Sequence, residues 1–107
     1  MLKTAIIYST GAGREAYSEY VASLPDRVGA AKIWTRVTRA QLGNLGDHKN
    51  IGHGVIELRI DHGPGYRVYI GLHGGELIVL LCAGDKSSQK KDVARAIAYW
   101  ADYKRNL

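Results

Sequence analysis

The segment spanning residues 55–85 alternates apolar and polar positions with a period of two, which predicts three β-strands joined by two tight turns. Gly-Pro-Gly supplies the first turn and Gly-Gly the second, because glycine tolerates the positive φ that such turns require. Glu57 and Arg59 lie on the polar side of the first strand, and Arg67 and Tyr69 lie on the polar side of the second. The segment is therefore predicted to be an antiparallel meander with an open polar face.

Apolar residues at helical spacing predict two helices before the meander and one after it. Pro25 stops the first helix, and Asp26 is a good N-cap for the second. We expect Tyr20 and Trp34 to contact the core or the neighbouring helix. The predicted helices span residues 14–24, 26–41 and 89–105.

A short apolar run at residues 3–8 predicts a further strand, which joins the meander after the helical hairpin. Residues 42–54 are glycine-rich and predict a loop, in which a short strand near Lys49 could lead into the meander. The element order is β-αα-βββ-α. It defines an α+β fold with a mostly antiparallel sheet, a helical hairpin and a C-terminal helix, formed as a single domain over residues 1–107.

Composition limits the environment and the kind of partner. Fifteen Lys and Arg against ten Asp and Glu give a net charge of +5, which favours a polyanionic partner. No apolar run approaches the ~20 residues of a membrane span, and the N-terminus lacks the pattern of a signal peptide. The single cysteine, Cys82, is expected to be a small buried hydrophobe. We therefore expect a cytoplasmic protein with no membrane partner.

Metal chemistry and serine nucleophile chemistry have little support in the sequence. All four histidines fall in predicted loops or turns, without the HExxH spacing or a paired cysteine. No nucleophile elbow accompanies any serine. We therefore predict neither a bound metal nor a cofactor.

A cluster of cations at strand ends is the strongest chemical signal in the chain. Its members are Lys49, Arg59, Arg67 and Lys86. Arginines on neighbouring strands repel each other unless an anion lies between them, or a carboxylate such as Glu57 pairs with one. With Tyr69 beside them, they would offer phosphate clamps and a stacking surface, a combination that suits single-stranded RNA.

Several segments between about residues 34 and 100 resemble a known family. They are GNLGD, ELRI, GPGYRVY, GDKSSQ and DVARA. In this order they resemble the addiction-module killer proteins of the RelE/ParE toxin superfamily, near HigB. The resemblance implies the fold derived above and a cognate antitoxin, a helix-turn-helix DNA-binding protein encoded beside the toxin. In the ribosome-dependent branch it also implies cleavage of messenger RNA in the ribosomal A site, and hence the ribosome and mRNA as partners.

The resemblance also implies roles for individual residues. The catalytic set would be Arg59 of ELRI, Arg67 of GYRVY and Lys86 of GDK, and the RNA-binding set would be Lys49, Tyr69 and His48. The general acid and base stay open. The family's acid–base groups could correspond to Tyr99, Tyr103, His48 or His53.

Fold alone does not decide the function, and two other hypotheses remain. The ParE branch of the superfamily has this fold without nuclease activity and poisons gyrase. A basic interaction module that has lost its toxicity is the third hypothesis. For a toxin, we expect the antitoxin to dock on the helical hairpin, residues 14–41, whose outer face carries mixed charges, and on the glycine loop.

Overall fold

The computed structural model describes residues 2–107, which form a five-stranded mixed sheet and three α-helices. The elements are β1 (Thr4–Ile7), α1 (Ala16–Ser23), α2 (Arg27–Gln41), β2 (His48–Gly52), β3 (Val55–Ile60), β4 (Tyr66–His73), β5 (Leu77–Asp85), a 3-10 turn (Lys86–Ser88) and α3 (Gln89–Arg105). The α+β fold and the order of its elements are confirmed. The short strand near Lys49 is present as β2.

The strand order is β1-β5-β4-β3-β2. The meander β3-β4-β5 is antiparallel, as predicted, and β2 extends it antiparallel to β3. At the other edge of the sheet, β1 pairs with β5 in parallel. In the sequence, α1, α2 and the other three strands lie between β1 and β5. A parallel neighbour requires such a long crossover, and the helical hairpin provides part of it.

Helices cover both faces of the sheet. On one face, Leu58 and Val68 pack against Ile33 and Val37 of α2, together with residues of α1. On the other face, a second core cluster joins sheet residues to Trp100 and the rest of the inner side of α3. The predicted open polar face is therefore wrong over most of its length, since α3 lies on it. Only its end, where β3 and β4 are joined, stays open.

Trp34 is mostly exposed, contrary to the expectation that it contacts the core or the neighbouring helix. Ile33 and Val37 are buried, but one residue further along a helix turns the side chain by about 100°. Trp34 consequently points outward with 69% of its surface exposed. Tyr20 does pack against the core, and Cys82 is buried as predicted.

The longest helix, α3, is amphipathic. Ala96 and Trp100 are buried against the sheet, whereas Lys90, Lys91 and Arg105 face solvent. Within residues 2–107, no helix is long and apolar enough to cross a membrane.

Candidate anion-binding cleft

An open cleft of about 420 Å³ lies at the end of the sheet where β3 turns into β4. Its lining residues are Asp47, Arg59, Ile60, Asp61, Gly63, Pro64, Gly65, Arg67 and Lys86. The structure thus brings together in one cleft the three residues for which the resemblance implies a catalytic role. A cavity of similar size, about 430 Å³, is lined by Tyr8, Asp102 and neighbouring residues and has no basic lining residue. Only the first of these two cavities has the charge to bind a polyanion.

Arg59 and Arg67 face each other across neighbouring strands, and a buried carboxylate lies beneath them. They are direct partners in the β3–β4 register. Glu57 has no exposed surface, and its Oε1 lies 3.2 Å from Arg59 Nε and 3.9 Å from Arg67 Nε. The other oxygen, Oε2, accepts hydrogen bonds from Tyr69 at 3.0 Å and Gln89 at 2.9 Å. One carboxylate therefore hydrogen-bonds Arg59 and forms a longer ion pair with Arg67, whose buried Nε has no hydrogen-bond partner. The same carboxylate is tied to β4 and α3.

The charge of Glu57 is maintained despite burial. Burial alone would raise the pKa of its carboxyl. Hydrogen bonds from Gln89, Tyr69 and Arg59, together with the charge of Arg67, outweigh burial and hold the pKa below its ordinary value. Glu57 is thus an anion that offsets the repulsion between the two arginines.

Most of the outer nitrogens of the arginine pair are free. Within residues 2–107, the side chain of Arg59 hydrogen-bonds only through Nε, while that of Arg67 donates through Nη1 to the carbonyl of Gly65 at 2.9 Å. Within the same residues, both Nη atoms of Arg59 and Nη2 of Arg67 have no hydrogen-bond partner, and none of these three atoms is buried. Planar guanidinium forks of this kind bind phosphate oxygens in pairs.

Lys86 is held at the rim of the cleft by the turn that follows β5. Asp85 caps that turn by accepting a hydrogen bond from the backbone N–H of Ser87 at 2.8 Å. The Lys86 backbone N–H donates to the carbonyl of Pro64 at 3.4 Å. Gly65 has φ +79°, and a β-carbon there would lie 3.1 Å from Arg67 Nη1 and 3.6 Å from Lys86 Cβ. The glycine turn is therefore what lets these two side chains converge.

Arg36 supports the cleft from behind, which sequence reasoning missed. Its guanidinium donates to the carbonyls of Leu45 at 2.7 Å and Asp47 at 2.8 Å, and also to the carbonyl of Arg59. Burial lowers the pKa of Arg36. These bonds tie α2 to the glycine loop and to the end of β3. A signal was present, because Arg36 shares a helical stripe with the buried Ile33.

The three residues with an implied RNA-binding role lie outside the cleft. Tyr69 is completely buried, so it offers no stacking surface, contrary to expectation. Lys49 is exposed beside a separate shallow cavity of about 380 Å³, which it shares with Glu57. His48 pairs with Leu58 in the register and lies on the opposite face of the sheet from Lys49.

The other implied acid–base candidates are also distant from the arginine pair. His53 lies in the β2–β3 turn at the far end of β3, about 20 Å of strand from Arg59. Tyr99 stacks on Tyr8, with ring centroids 4.7 Å apart, and Tyr103 stacks on Trp100 at 5.3 Å. Both tyrosines belong to the C-terminal half of α3, whereas its N-terminus is the end near the cleft.

The cleft itself contains other groups that can move protons. Besides its two arginines, its titratable lining residues are Asp47, Asp61 and Lys86. No group of three or more His, Cys, Asp or Glu side chains that could hold a metal ion exists within the described residues 2–107.

Fold and cleft together define a small basic α+β protein with two arginines and a lysine in one open cleft. Residues 19–98 match the family described as phage-derived protein Gp49-like (DUF891), and the chain belongs to that family, a toxin–antitoxin type toxin family related to the RelE-like toxins. A protein of Haemophilus influenzae, described only as uncharacterized, is 46% identical over 80 residues, covering 75% of this chain and 81% of that protein. No solved structure matches the chain. The resemblance is thus confirmed for the wider group of toxins, while the assignment near HigB stays a prediction.

Proposed function

We propose that this protein is the toxin of a type II toxin–antitoxin system and cleaves messenger RNA on the ribosome. The observation that carries the proposal is the cleft in which Arg59 and Arg67, held by Glu57, present free guanidinium nitrogens beside Lys86. Membership of a toxin family and the net charge of +5 support it. The partners are then the ribosome, its mRNA and an antitoxin.

The chemistry that fits this cleft is attack of a ribose 2′-oxygen on the adjacent phosphorus. The O2′–P bond forms, the P–O5′ bond breaks, and the phosphorane between them carries additional negative charge. Arg59 and Arg67 would stabilise that charge, because their forks are always protonated and already oriented by Glu57 and Gly65. This stabilisation would be the main contribution of the protein.

Proton transfer would use the remaining groups of the cleft. Lys86 would donate a proton to the leaving 5′-oxygen, and Asp61 or Asp47 would accept the proton of the 2′-hydroxyl. The scheme requires no metal ion. Alignment of the attacking oxygen with the leaving group would come largely from the ribosome, which holds the mRNA in place.

Arg67→Lys tests the proposal, because it keeps the charge and loses the fork. After brief induction, the 5′ ends of cellular mRNA are mapped for the wild type and the variant. We expect cleavage within coding regions for the wild type and a reduction of at least about 100-fold for Arg67→Lys. Arg105→Ala, which removes an exposed arginine at the far end of α3, is the control and should cleave normally.

Two results would contradict the proposal. One is undiminished cleavage by Arg67→Lys at equal protein abundance. The other is intact mRNA together with broken DNA in arrested cells, which would instead support inhibition of gyrase.

A further inference from the structure

The outer face of α2 carries the largest exposed apolar side chain within residues 2–107. Trp34 exposes most of its indole, and Val28 and Leu42, near the two ends of the helix, are 59% and 68% exposed. Trp100, the other tryptophan, is buried. An exposed tryptophan is typical of protein interfaces, where it often contributes much of the binding energy.

The charge on α2 has a single sign. Its charged residues are Arg27, Lys32, Arg36 and Arg39, without an acidic residue between positions 27 and 41. Arg36 is engaged by backbone carbonyls. The other three have no carboxylate within 4.0 Å in the part of the chain that the structure describes. A surface with this charge complements an acidic partner.

A groove of about 250 Å³ runs between α2 and the end of β3. Its lining residues are Lys32, Thr35, Arg36, Arg39, Ile60 and Asp61. Ile60 and Asp61 also line the anion-binding cleft, so the groove opens at the mouth of that cleft. A chain segment lying in the groove would therefore end where RNA has to enter.

We infer that the outer face of α2 is the docking surface for an acidic amphipathic segment of a partner protein. The identification of that partner as the antitoxin rests on the proposed function. Val28 and Leu42 lie on the outward side of α2, with Trp34 on one flank and Lys32 and Arg39 about 140–160° away on the other, as a turn of 100° per residue requires. The segment would therefore cover the outward half of the helix, with apolar side chains on Trp34, Val28 and Leu42 and carboxylates on Lys32 and Arg39. α2 is about 22 Å long, enough for a segment of about four helical turns.

A protein segment fits this face better than a nucleic acid does. Trp34 is the single aromatic plane on this helix, whereas Val28 and Leu42 provide neither a charge for phosphate nor a plane on which a base can stack. The inference also narrows the docking site expected from the sequence. Arg14, just before α1, already pairs with Glu19 of α1 at 2.6 Å, and Arg36 of α2 is directed inward. The unpaired basic charge of the hairpin therefore lies on α2.

The experiment uses the full-length toxin and the purified product of the gene adjacent to its own. Binding is measured by calorimetry for Trp34→Ala and for the double variant Lys32→Glu/Arg39→Glu. We expect each to weaken binding at least about 30-fold, the loss typical of an interface hot spot. Growth arrest in the absence of the partner should be unchanged. Leu72→Ala, which removes an exposed leucine on β4, is the control and should bind normally.

Fluorescence gives a second measurement, because only Trp34 among the two tryptophans is exposed. Binding should shift the emission of the wild type to shorter wavelength, and this shift should be absent in Trp34→Ala. Weaker binding of Trp34→Ala to the partner would support the proposed docking surface even if the wild type neither arrests growth nor cleaves mRNA. In that case the proposed function would be wrong and the docking surface would still be supported.

Several outcomes would overturn the inference. One is unchanged affinity of both variants for the partner, and another is no binding of the adjacent gene's product to the wild type. A third is a Trp34→Ala variant that loses toxicity but binds the partner with unchanged affinity. The last result would indicate contact with the ribosome. Dissociation of a homodimer by Trp34→Ala, with unchanged affinity for the partner, would show that a second copy of this chain covers the face.

Discussion

Glu57 shows how a single buried residue can organise a cationic site. Two arginines directly opposite each other on neighbouring strands would destabilise the sheet if nothing lay between them. The carboxylate of Glu57 supplies the opposite charge from inside the protein, so the outward nitrogens of the arginines stay free. The guanidinium groups are thereby oriented without any bound ligand.

Glu57→Gln should therefore reduce stability. The amide keeps the size of the side chain but removes the charge that compensates Arg59 and Arg67. Removing one partner of a fully buried ion pair costs about 3–5 kcal/mol, and the partial exposure of Arg59 reduces the expected loss in the free energy of unfolding to about 2 kcal/mol. Urea denaturation measures the free energy of unfolding of the variant and the wild type. Glu19→Gln, at an exposed pair on α1, is the control and should have no measurable effect.

The same residue should make stability depend on pH. Because the pKa of Glu57 is lowered on folding, its contribution is fully present above the unfolded value of about 4.3 and is lost as pH falls through the lower folded value. We expect the free energy of unfolding of the wild type to fall below about pH 4.3 more steeply than that of Glu57→Gln. Parallel curves for the two proteins would contradict this prediction.

At the scale of elements, the close approach of α3 to the sheet depends on two glycines. A β-carbon at Gly71 of β4 would lie 2.4 Å from the ring of Trp100, and one at Gly84 of β5 would lie 1.8 Å from Asp92 Oδ2. α3 carries Gln89 to within 2.9 Å of Glu57, so the packing of this helix and the geometry of the cleft are linked.

Gly71→Ala should consequently destabilise the protein. The rigid indole of Trp100 cannot move without displacing α3, and overpacking of this kind costs about 1–3 kcal/mol. Urea denaturation followed by tryptophan fluorescence measures the change. Gly75→Ala, at a turn where no atom would lie within 4 Å of the new β-carbon, is the matched control and should change stability by less than about 0.5 kcal/mol. Equal stability of the two variants would show that α3 adjusts freely.

At the scale of the whole molecule, the cleft and the groove along α2 share one border. Ile60 and Asp61 line both, so RNA in the cleft and a protein segment in the groove would compete for the same entrance. This arrangement allows a partner to block the site without contacting Arg59 or Arg67.

Cleavage by the proposed mechanism should not require a transition metal. Within residues 2–107 no cluster of metal-binding side chains exists, and the charge of the transition state is assigned to the arginines. Toxin treated with a chelator and dialysed should cleave ribosome-bound mRNA at an unchanged rate once the magnesium of the ribosome is restored. Recovery only after addition of zinc or manganese would contradict the mechanism.

The sequence by itself determined the elements and the arginine pair. Alternation of apolar residues, the glycine turns and the helix caps are local signals, and they predicted the meander, the hairpin and α3 in the correct order. The side on which Arg59 and Arg67 lie follows from the period of a strand, so their convergence was predictable as well.

Only the tertiary structure decided which surfaces are covered. Periodicity gives the sides of a strand or helix but not what packs on each side, and α3 covers Tyr69 and Glu57 through contacts between residues distant in sequence. For the same reason Trp34 is exposed and Arg36 is directed inward, although both belong to one helix of clear amphipathic pattern. The burial of Glu57, the carbonyl contacts of Arg36 and the exposure of Trp34 arise from packing between residues distant in sequence, for which the periodicity of the chain gives at most a partial signal.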